Sequence, residues 1–166
     1  MSGNSFLLDT NVQSELIREP SDRQVIDWFA RHEQTAMHIS SVTQAEILTG
    51  IALLPAGKRR VALATATEHM FEQDFASRCH GFDTAAAKNY ALIVAIKVRQ
   101  GQPISTENAQ IAAIALAGGL ILATRNTKDF ENIEGLAVVN PWQSHLIFSG
   151  NCFLRMLYMR KKLLIQ

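Results

Sequence analysis

The sequence predicts an α/β fold, a three-layer α/β/α sandwich around a central, mainly parallel sheet. Short apolar runs alternate with longer segments of helical pattern through residues 6–142. Such alternation is typical of parallel strands joined by helical crossovers. Of the 166 residues, 48% are apolar, which suits one domain with a full core. Charged residues make up only 19%, so the sequence is not that of a disordered chain.

Five apolar runs are predicted as strands, because each is short and is followed by polar or turn-forming residues. In chain order they are residues 6–8, 36–40, 79–82, 120–123 and 136–139. The first is followed at once by Asp9, and the fourth by Thr124. In an open parallel sheet, ligands bind outside the carboxyl ends of the strands. Polar residues at these two positions are therefore candidates for a functional site.

Helices are predicted between the strands, at about residues 11–18, 22–32, 42–54, 58–77, 83–99 and 106–118. Serine is a favoured N-cap, so Ser21 is expected to cap the second helix and Ser105 the sixth. The third helix follows two candidate caps, Ser40 and Ser41. Proline and glycine residues after the helices mark their ends.

The net charge of +1 is unevenly distributed. Residues 1–142 hold 12 Lys and Arg against 15 Asp and Glu, a net charge of −3. The remaining basic residues lie in a tail without acids and are Arg155, Arg160, Lys161 and Lys162. The body of the protein therefore has no overall basic field for nucleic acid, and such binding requires local patches or metal ions.

The expected location is the cytoplasm, with no membrane contact. The N-terminus lacks the charged and apolar segments of a signal peptide, and no stretch reaches the roughly 18 apolar residues that span a bilayer. Cys79 and Cys152 form no C-x-x-C pair, so they are interpreted as free thiols in a reducing compartment.

Four oxygen-bearing side chains are predicted to meet at the carboxyl edge of the sheet as a catalytic, metal-binding group. Asp9 ends the first strand, and Asp129 follows the fourth. Glu46 and Asn108 lie early in the third and sixth helices. Glu46 is expected close to a buried helix face, where an unpaired carboxylate is costly. Clustered carboxylates favour a hard cation such as Mg²⁺ or Mn²⁺, which suits metal-assisted phosphodiester cleavage.

Each acid also has a plainer interpretation. Asp9 and Asp129 are of a type that caps helices and turns, and Glu46 alone resembles a solvated helix acid. The ordered set is more specific than any one member. A second group of polar residues is expected to orient these acids or to contact the substrate, and comprises Thr10, Asn11, Thr124, Arg125 and Asn126.

A series of short motifs runs in order through about residues 6–142. They are Leu7-Leu8-Asp9-Thr10-Asn11, Ile39-Ser40-Ser41-Val42-Thr43-Gln44-Ala45-Glu46-Ile47, Gly50-Ile51-Ala52-Leu53-Leu54-Pro55, Ala109-Gln110-Ile111-Ala112-Ala113-Ile114-Ala115, Leu122-Ala123-Thr124-Arg125-Asn126-Thr127-Lys128-Asp129-Phe130 and Asn140-Pro141-Trp142. Together they resemble the PIN-domain toxins of the VapC and FitB type.

The resemblance implies a function and a set of partners. Members of this family are Mg²⁺- or Mn²⁺-dependent endoribonucleases that act as toxins of type II toxin–antitoxin pairs. Such pairs also contribute to plasmid stability. RNA is then the substrate, and a cognate DNA-binding antitoxin is the partner. A homodimer is implied as well, with operator DNA contacted only through the antitoxin. By position, Asp9 and Glu46 match the first two family acids.

The third family acid does not carry over. Where the family usually has Asp, this chain has Asn108. An asparagine carbonyl coordinates a cation without adding negative charge, so weakened or lost activity is expected. The neighbouring Glu107 is rotated by about 100° on the helix and is a poor substitute. Three interpretations follow: a weakened natural nuclease, a natural, catalytically inactive scaffold that binds an antitoxin, and a variant chosen or selected because the active toxin harms its host. For the fourth acid Asp129 is preferred, although some relatives carry Asp at the position of Asn126.

Two segments are predicted, a PIN-like domain over residues 1–142 and an apolar, basic extension over residues 143–166. Relatives usually end shortly after the motif Asn140-Pro141-Trp142. The extension is interpreted as a helix packed on the body or across a dimer. A partly disordered appendage and a membrane-surface helix are the alternatives.

Overall fold

Five parallel strands form the centre of the fold in the computed structural model, which describes residues 4–143. The strands are β1 (Phe6–Leu8), β2 (Met37–Ser40), β3 (Cys79–His80), β4 (Ile121–Ala123) and β5 (Val138–Val139). Their order across the sheet is β3-β2-β1-β4-β5. Each pair of neighbours is parallel, so the predicted parallel sheet is confirmed.

The chain changes direction across the sheet at β1. β2 and β3 lie successively on one side of β1, whereas β4 and β5 lie on the other. β1 and β4 are paired along their length, with Leu8 opposite Ala123. In open α/β sheets, ligands bind in the crevice at such a switch point, outside the carboxyl ends of the strands. Asp9 and Thr124 directly follow these two strands and therefore share one crevice.

Helices cover both faces of the sheet, as the three-layer prediction requires. Among the described residues they are α1 (Thr10–Ile17), α2 (Arg23–Ala30), α3 (Ser41–Ala52), α4 (Lys58–His69), α5 (Thr84–Arg99) and α6 (Thr106–Gly118). Alternate residues of a strand point to opposite faces. Accordingly, Phe6 and Leu8 belong to a core cluster that includes residues of α1, α2 and α3. Leu7 belongs to a second cluster, built mainly from α5 and α6.

The helix starts are fixed by polar caps, of which Ser105 was predicted and Ser40 was one of two predicted candidates. The Ser40 hydroxyl accepts a hydrogen bond from the Thr43 N–H at 3.0 Å and caps α3. Ser105 caps α6 in the same way. The prediction for α2 was wrong, because Asp22 and not Ser21 is its cap. The Ser21 hydroxyl instead donates to the Arg18 carbonyl at 2.8 Å.

The helix predicted over residues 58–77 is shorter than expected. The α-helical part ends at His69, and one wider π-helical turn, Met70–Asp74, follows. Met70, Phe71 and Phe75 are all buried in the first core cluster. A wider turn changes the angular spacing of successive side chains, which lets neighbouring positions such as 70 and 71 face the core together. Core packing therefore explains the departure from the α-helical pattern.

The predicted extension, residues 143–166, lies outside the described part of the chain apart from Gln143, and so does Cys152. Cys79 is an exposed free thiol.

Short helical segments join the main elements at Gln34–Ala36, Met70–Asp74 and Thr127–Phe130. Within residues 4–143, no helix has both the length and the apolar character needed to cross a membrane.

Candidate metal centre

Asp9 lies at the bottom of the crevice between β1 and β4. Its N–H donates to the Ala123 carbonyl at 2.9 Å, which ties it to the end of β4. The side chain caps α1 and accepts from the Thr10 N–H at 2.8 Å on Oδ1. Its Oδ2 accepts from the Asn11 amide and from the Thr124 hydroxyl, each at 2.7 Å. Asp9 is only 4% exposed, so these donors replace the water it loses on burial.

Burial raises the pKa of the Asp9 carboxyl above its ordinary value of 3.8. Hydrogen bonds from Thr124, Thr10 and Asn11 act in the opposite direction, because they favour the charged carboxylate. The nearby negative charge of Asp129 raises the pKa again. A cation close to both carboxylates would reduce the repulsion between them and would stabilise their charged forms.

Asn108 and Asn126 both donate to Asp129. The Asn108 amide nitrogen lies 2.9 Å from Asp129 Oδ2. The Asn126 amide donates to the same oxygen. Asp129 lies in the helical turn Thr127–Phe130, which is anchored in the core by the buried Phe130. The structure therefore brings Asn108, from the first turn of α6, against the acid that follows β4.

Glu46 is placed differently from the prediction. It is exposed on α3, so the expected cost of a buried carboxylate was wrong. The reason is that Thr43 and Ile47 form the buried side of α3 near this point, while residue 46 faces the solvent. Its Oε2 nevertheless accepts a hydrogen bond from the Thr10 hydroxyl. Glu46 is thus linked to the residue directly after Asp9.

A continuous set of hydrogen bonds joins nearly all the predicted site residues. Thr10 connects Glu46 with Asp9 through its hydroxyl and its N–H. On the other side, the Thr124 hydroxyl donates to Asp9 and accepts from the Asn126 N–H at 3.0 Å. The Asn126 side chain then donates to Asp129, which also accepts a hydrogen bond from the side-chain amide of Asn108 on α6. The four predicted ligands therefore lie along one crevice.

Arg125 joins this network through its backbone rather than its charge. Its N–H donates to Asn11 Oδ1 at 3.0 Å. The guanidinium lies over the Trp142 ring, with 5.2 Å between its central carbon and the ring centroid. Trp142 is positioned by an N–H bond to the Asn140 side chain at 3.0 Å. The cation is thus held at the edge of the crevice, where contact with phosphate stays a prediction.

The oxygens present in the crevice suit a hard divalent cation. Asp9 uses three of the roughly four acceptor positions of a carboxylate, which leaves one on Oδ1. Asp129 receives both amides on Oδ2, and Asn108 uses its amide nitrogen, so Oδ1 of each keeps its acceptor capacity. Within residues 4–143 no three His, Cys, Asp or Glu side chains are grouped to hold a metal. The neutral side-chain carbonyl of Asn108, which lies beside Asp129, offers a further oxygen in the same crevice.

Glu107 is a residue that the sequence argument set aside. It is exposed, and together with Glu46 it lines an open cavity of about 610 Å³ between α3 and α6. The approach of α3 to α6 brings together residues that are far apart in the sequence, so this pairing of acids could not be predicted from it. Glu46 therefore has a second acid, Glu107, on the other wall of the same cavity.

The fold and this crevice define a parallel α/β protein with carboxylate and amide oxygens gathered at the switch point of its sheet. The chain belongs to the PIN domain family, whose model matches residues 6–136. The resemblance in the sequence motifs is therefore confirmed.

The alignments with relatives of this chain cover nearly the whole length of those relatives. The chain is 42% identical over 139 residues to the plasmid stability protein StbB of Pseudomonas syringae pv. tomato, which covers 84% of this chain and 99% of that protein. It is 38% identical over 138 residues to the VapC ribonuclease Y4jK of Sinorhizobium fredii, with 83% and 98% covered. In the solved structure of FitAB bound to the IR36 DNA fragment, a chain with 34% identity superposes with a TM-score of 0.78, covering 87% and 99%.

Proposed function

We propose that this protein is a divalent-metal-dependent endoribonuclease, the toxin of a type II toxin–antitoxin pair. The observation that carries the proposal is the convergence of Asp9, Asp129 and Asn108 in the crevice between β1 and β4. The similarity to a VapC ribonuclease supports the reaction, because this chain spans 98% of that relative. The proposed substrate is RNA, cut at its phosphodiester bonds.

The proposed cation is Mg²⁺ or Mn²⁺, and its ligands are oxygens of four side chains: Asp9, Glu46, Asn108 and Asp129. When bound, such a cation supplies an activated water and offsets negative charge on the phosphate. Thr124 and Asn11 hold the Asp9 carboxylate in one orientation, as supporting hydrogen bonds do around metal ligands. Arg125 is proposed to contact a phosphate of the substrate, since the body of the protein has no overall positive charge.

The proposed partners follow from the same family. A cognate DNA-binding antitoxin is the main one, and the similarity to a chain of the DNA-bound FitAB structure supports it. We further propose a homodimer that acts in the cytoplasm and contacts operator DNA only through the antitoxin.

The second candidate is a catalytically inactive PIN scaffold that only binds an antitoxin. One observation favours it: Asn108 and Asn126 supply Asp129 with two hydrogen bonds that require no cation. A third carboxylate at position 108 would instead repel Asp129 unless a cation lay between them. Asn108 therefore decides between a weak nuclease and an inactive one.

Cleavage of a mixed RNA substrate with Mn²⁺ distinguishes these functions. The proposal expects slow cleavage that disappears on metal removal, and faster cleavage by Asn108→Asp. The matched control is Gln24→Glu, which adds the same charge at an exposed position on α2 and should leave the rate unchanged. If only Asn108→Asp cuts RNA, the natural chain is an inactive scaffold. If neither form cuts, the nuclease proposal is wrong.

A further inference from the structure

A cavity of about 160 Å³ lies among α5, the end of α6 and residues 132–134. Residues 132–134 precede β5, and Leu116 lies just before β4 begins, so the cavity is at the amino end of these strands. Asp9 and Thr124 follow the carboxyl ends of their strands. The cavity is therefore separate from the candidate metal centre and plays no part in the proposed reaction.

Lys97 brings a positive charge to this cavity without a protein partner. The residue is only 3% exposed and lines the cavity. Within residues 4–143 its ammonium group makes neither a hydrogen bond nor an ion pair, although the backbone carbonyl accepts from the Gln102 N–H. Glu134 also lines the cavity, yet it is not within ion-pair distance of Lys97. The ammonium nitrogen is not fully enclosed: it keeps contact with the open space of the cavity, so an anion that enters the cavity can bind it there.

The position of Lys97 explains only part of this arrangement. It lies in the last turn of α5, where the helix dipole favours a cation. That interaction supplies no hydrogen-bond acceptor for the ammonium group. Three donors of Lys97 remain available to a ligand at this point.

The other walls of the cavity determine which chemical groups the uncharged part of a ligand can have. They are largely aliphatic, with Leu92, Ile96, Leu116 and Ile133. Asn89 donates its amide to the Ala113 carbonyl at 3.4 Å, which leaves its own side-chain oxygen free to accept. The volume corresponds to roughly five waters at about 30 Å³ each, enough for a molecule of about six non-hydrogen atoms.

We propose that this cavity binds a small aliphatic carboxylate, with its charged group against Lys97 and its hydrocarbon part against the wall of α5 and α6. Glu134 is exposed at the mouth and weakens the binding of any anion by repulsion.

Butyrate is a suitable probe, followed through the side-chain amide resonances of Asn89 and Asn132 in nitrogen-labelled full-length protein. With ionic strength held constant by chloride, we expect saturable shifts below about 50 mM, since ligands of this size bind weakly. n-Butylammonium has the same length and the opposite charge, and should cause no saturable shift. Shifts that are linear in butyrate, or equal for both compounds, would overturn the proposal.

Three variants test the role of each charge. Lys97→Met keeps the length of the side chain and should weaken butyrate binding by about tenfold or more, because it removes the charged donor. Lys88→Met, at an exposed position of the same helix, should leave binding unchanged. Glu134→Gln should tighten binding by about two- to threefold, because the repulsion at the mouth is removed. Equal affinity of the wild type and Lys97→Met, or weaker binding by Glu134→Gln, contradicts the proposal.

Discussion

Asp9 and Lys97 are buried to almost the same extent, but their charges are treated in opposite ways. Asp9 is 4% exposed and receives three hydrogen bonds from residues that follow β1 and β4. Lys97 is 3% exposed, and no side-chain partner for it lies among residues 4–143. At the carboxyl end of the sheet, hydrogen-bond donors therefore stabilise the charge of Asp9. In the cavity near the amino end, the charge of Lys97 has no side-chain partner among residues 4–143 and is available to a ligand.

This difference follows from the position of each residue in its secondary-structure element. A strand that ends on Asp, followed by a helix, places backbone N–H groups around the carboxylate. Lys97, in the last turn of α5, shares its cavity with aliphatic side chains and with Asn89 and Glu134, but it pairs with neither of these two. The bonds from Thr10 and Asn11 are local in sequence, whereas the bond from Thr124 and the burial of Lys97 both depend on which elements pack together.

The largest expected effect is on catalysis. Asp9→Asn keeps the shape of the side chain but removes the charge from the candidate cation site, so Mn²⁺-dependent RNA cleavage should fall by about 100-fold or more. The unfolding free energy without metal should change little, since the removal of a buried charge is offset by hydrogen bonds that the new amide nitrogen cannot accept. Urea unfolding measured beside the cleavage assay checks both points. A variant that cleaves RNA at the wild-type rate would exclude Asp9 as a ligand.

Asn108→Asp should destabilise the metal-free chain by about 2 kcal/mol, because it replaces a hydrogen bond to Asp129 with repulsion between two carboxylates. Added Mn²⁺ should recover this loss, and the rise in melting temperature with metal should exceed that of the wild type. Thermal unfolding with EDTA and with Mn²⁺ measures both. Equal stability of the two proteins under both conditions would mean that position 108 does not face the cation site.

Lys97→Met should stabilise the ligand-free chain only slightly, by less than about 1 kcal/mol, because an unpaired charge that still contacts the open cavity becomes an apolar side chain of similar length. Lys88→Met on the exposed side of α5 provides the matched control and should change stability little. Urea unfolding gives the comparison. A loss of several kcal/mol in Lys97→Met would instead indicate that the charge is satisfied within the protein.

The smallest expected effect is a pH dependence caused by Asp9. Its pKa in the folded state is raised above 3.8, so the folded state binds the proton more tightly than the unfolded state. The stability contributed by the protonated group is present below pH 3.8 and is lost as pH rises through the folded pKa. In EDTA, Asp9→Asn should therefore gain stability over the wild type as pH rises from about 4 to 7. A constant difference across this range would show that the pKa is not raised.

Local signals in the sequence predicted much of the architecture. Asp9 after an apolar run, and serine at positions 40 and 105, were sufficient to locate β1 and two helix starts. The prediction failed where two local solutions compete. Ser21 and Asp22 are both good caps, and only the fold decides that Asp22 accepts the bond. The π turn after His69 arises from core packing and has no simple pattern.

The site could be predicted in composition but not in arrangement. Glu46 was expected near a buried face, and it is exposed because α3 is rotated with Thr43 toward the core. The two amide bonds to Asp129 join residues from α6 and the turn after β4, which a linear sequence does not relate. Lys97 was missed for the same reason, since its burial results from tertiary packing.

Calorimetric titration of the metal-free protein with Mn²⁺ tests the central claim most directly, because it measures the cation site without RNA or an antitoxin. We expect saturable binding in the wild type, about tenfold tighter binding in Asn108→Asp through the added charge, and loss of this binding in Asp9→Asn. Binding that is unchanged by both substitutions would contradict a cation site in the crevice between β1 and β4.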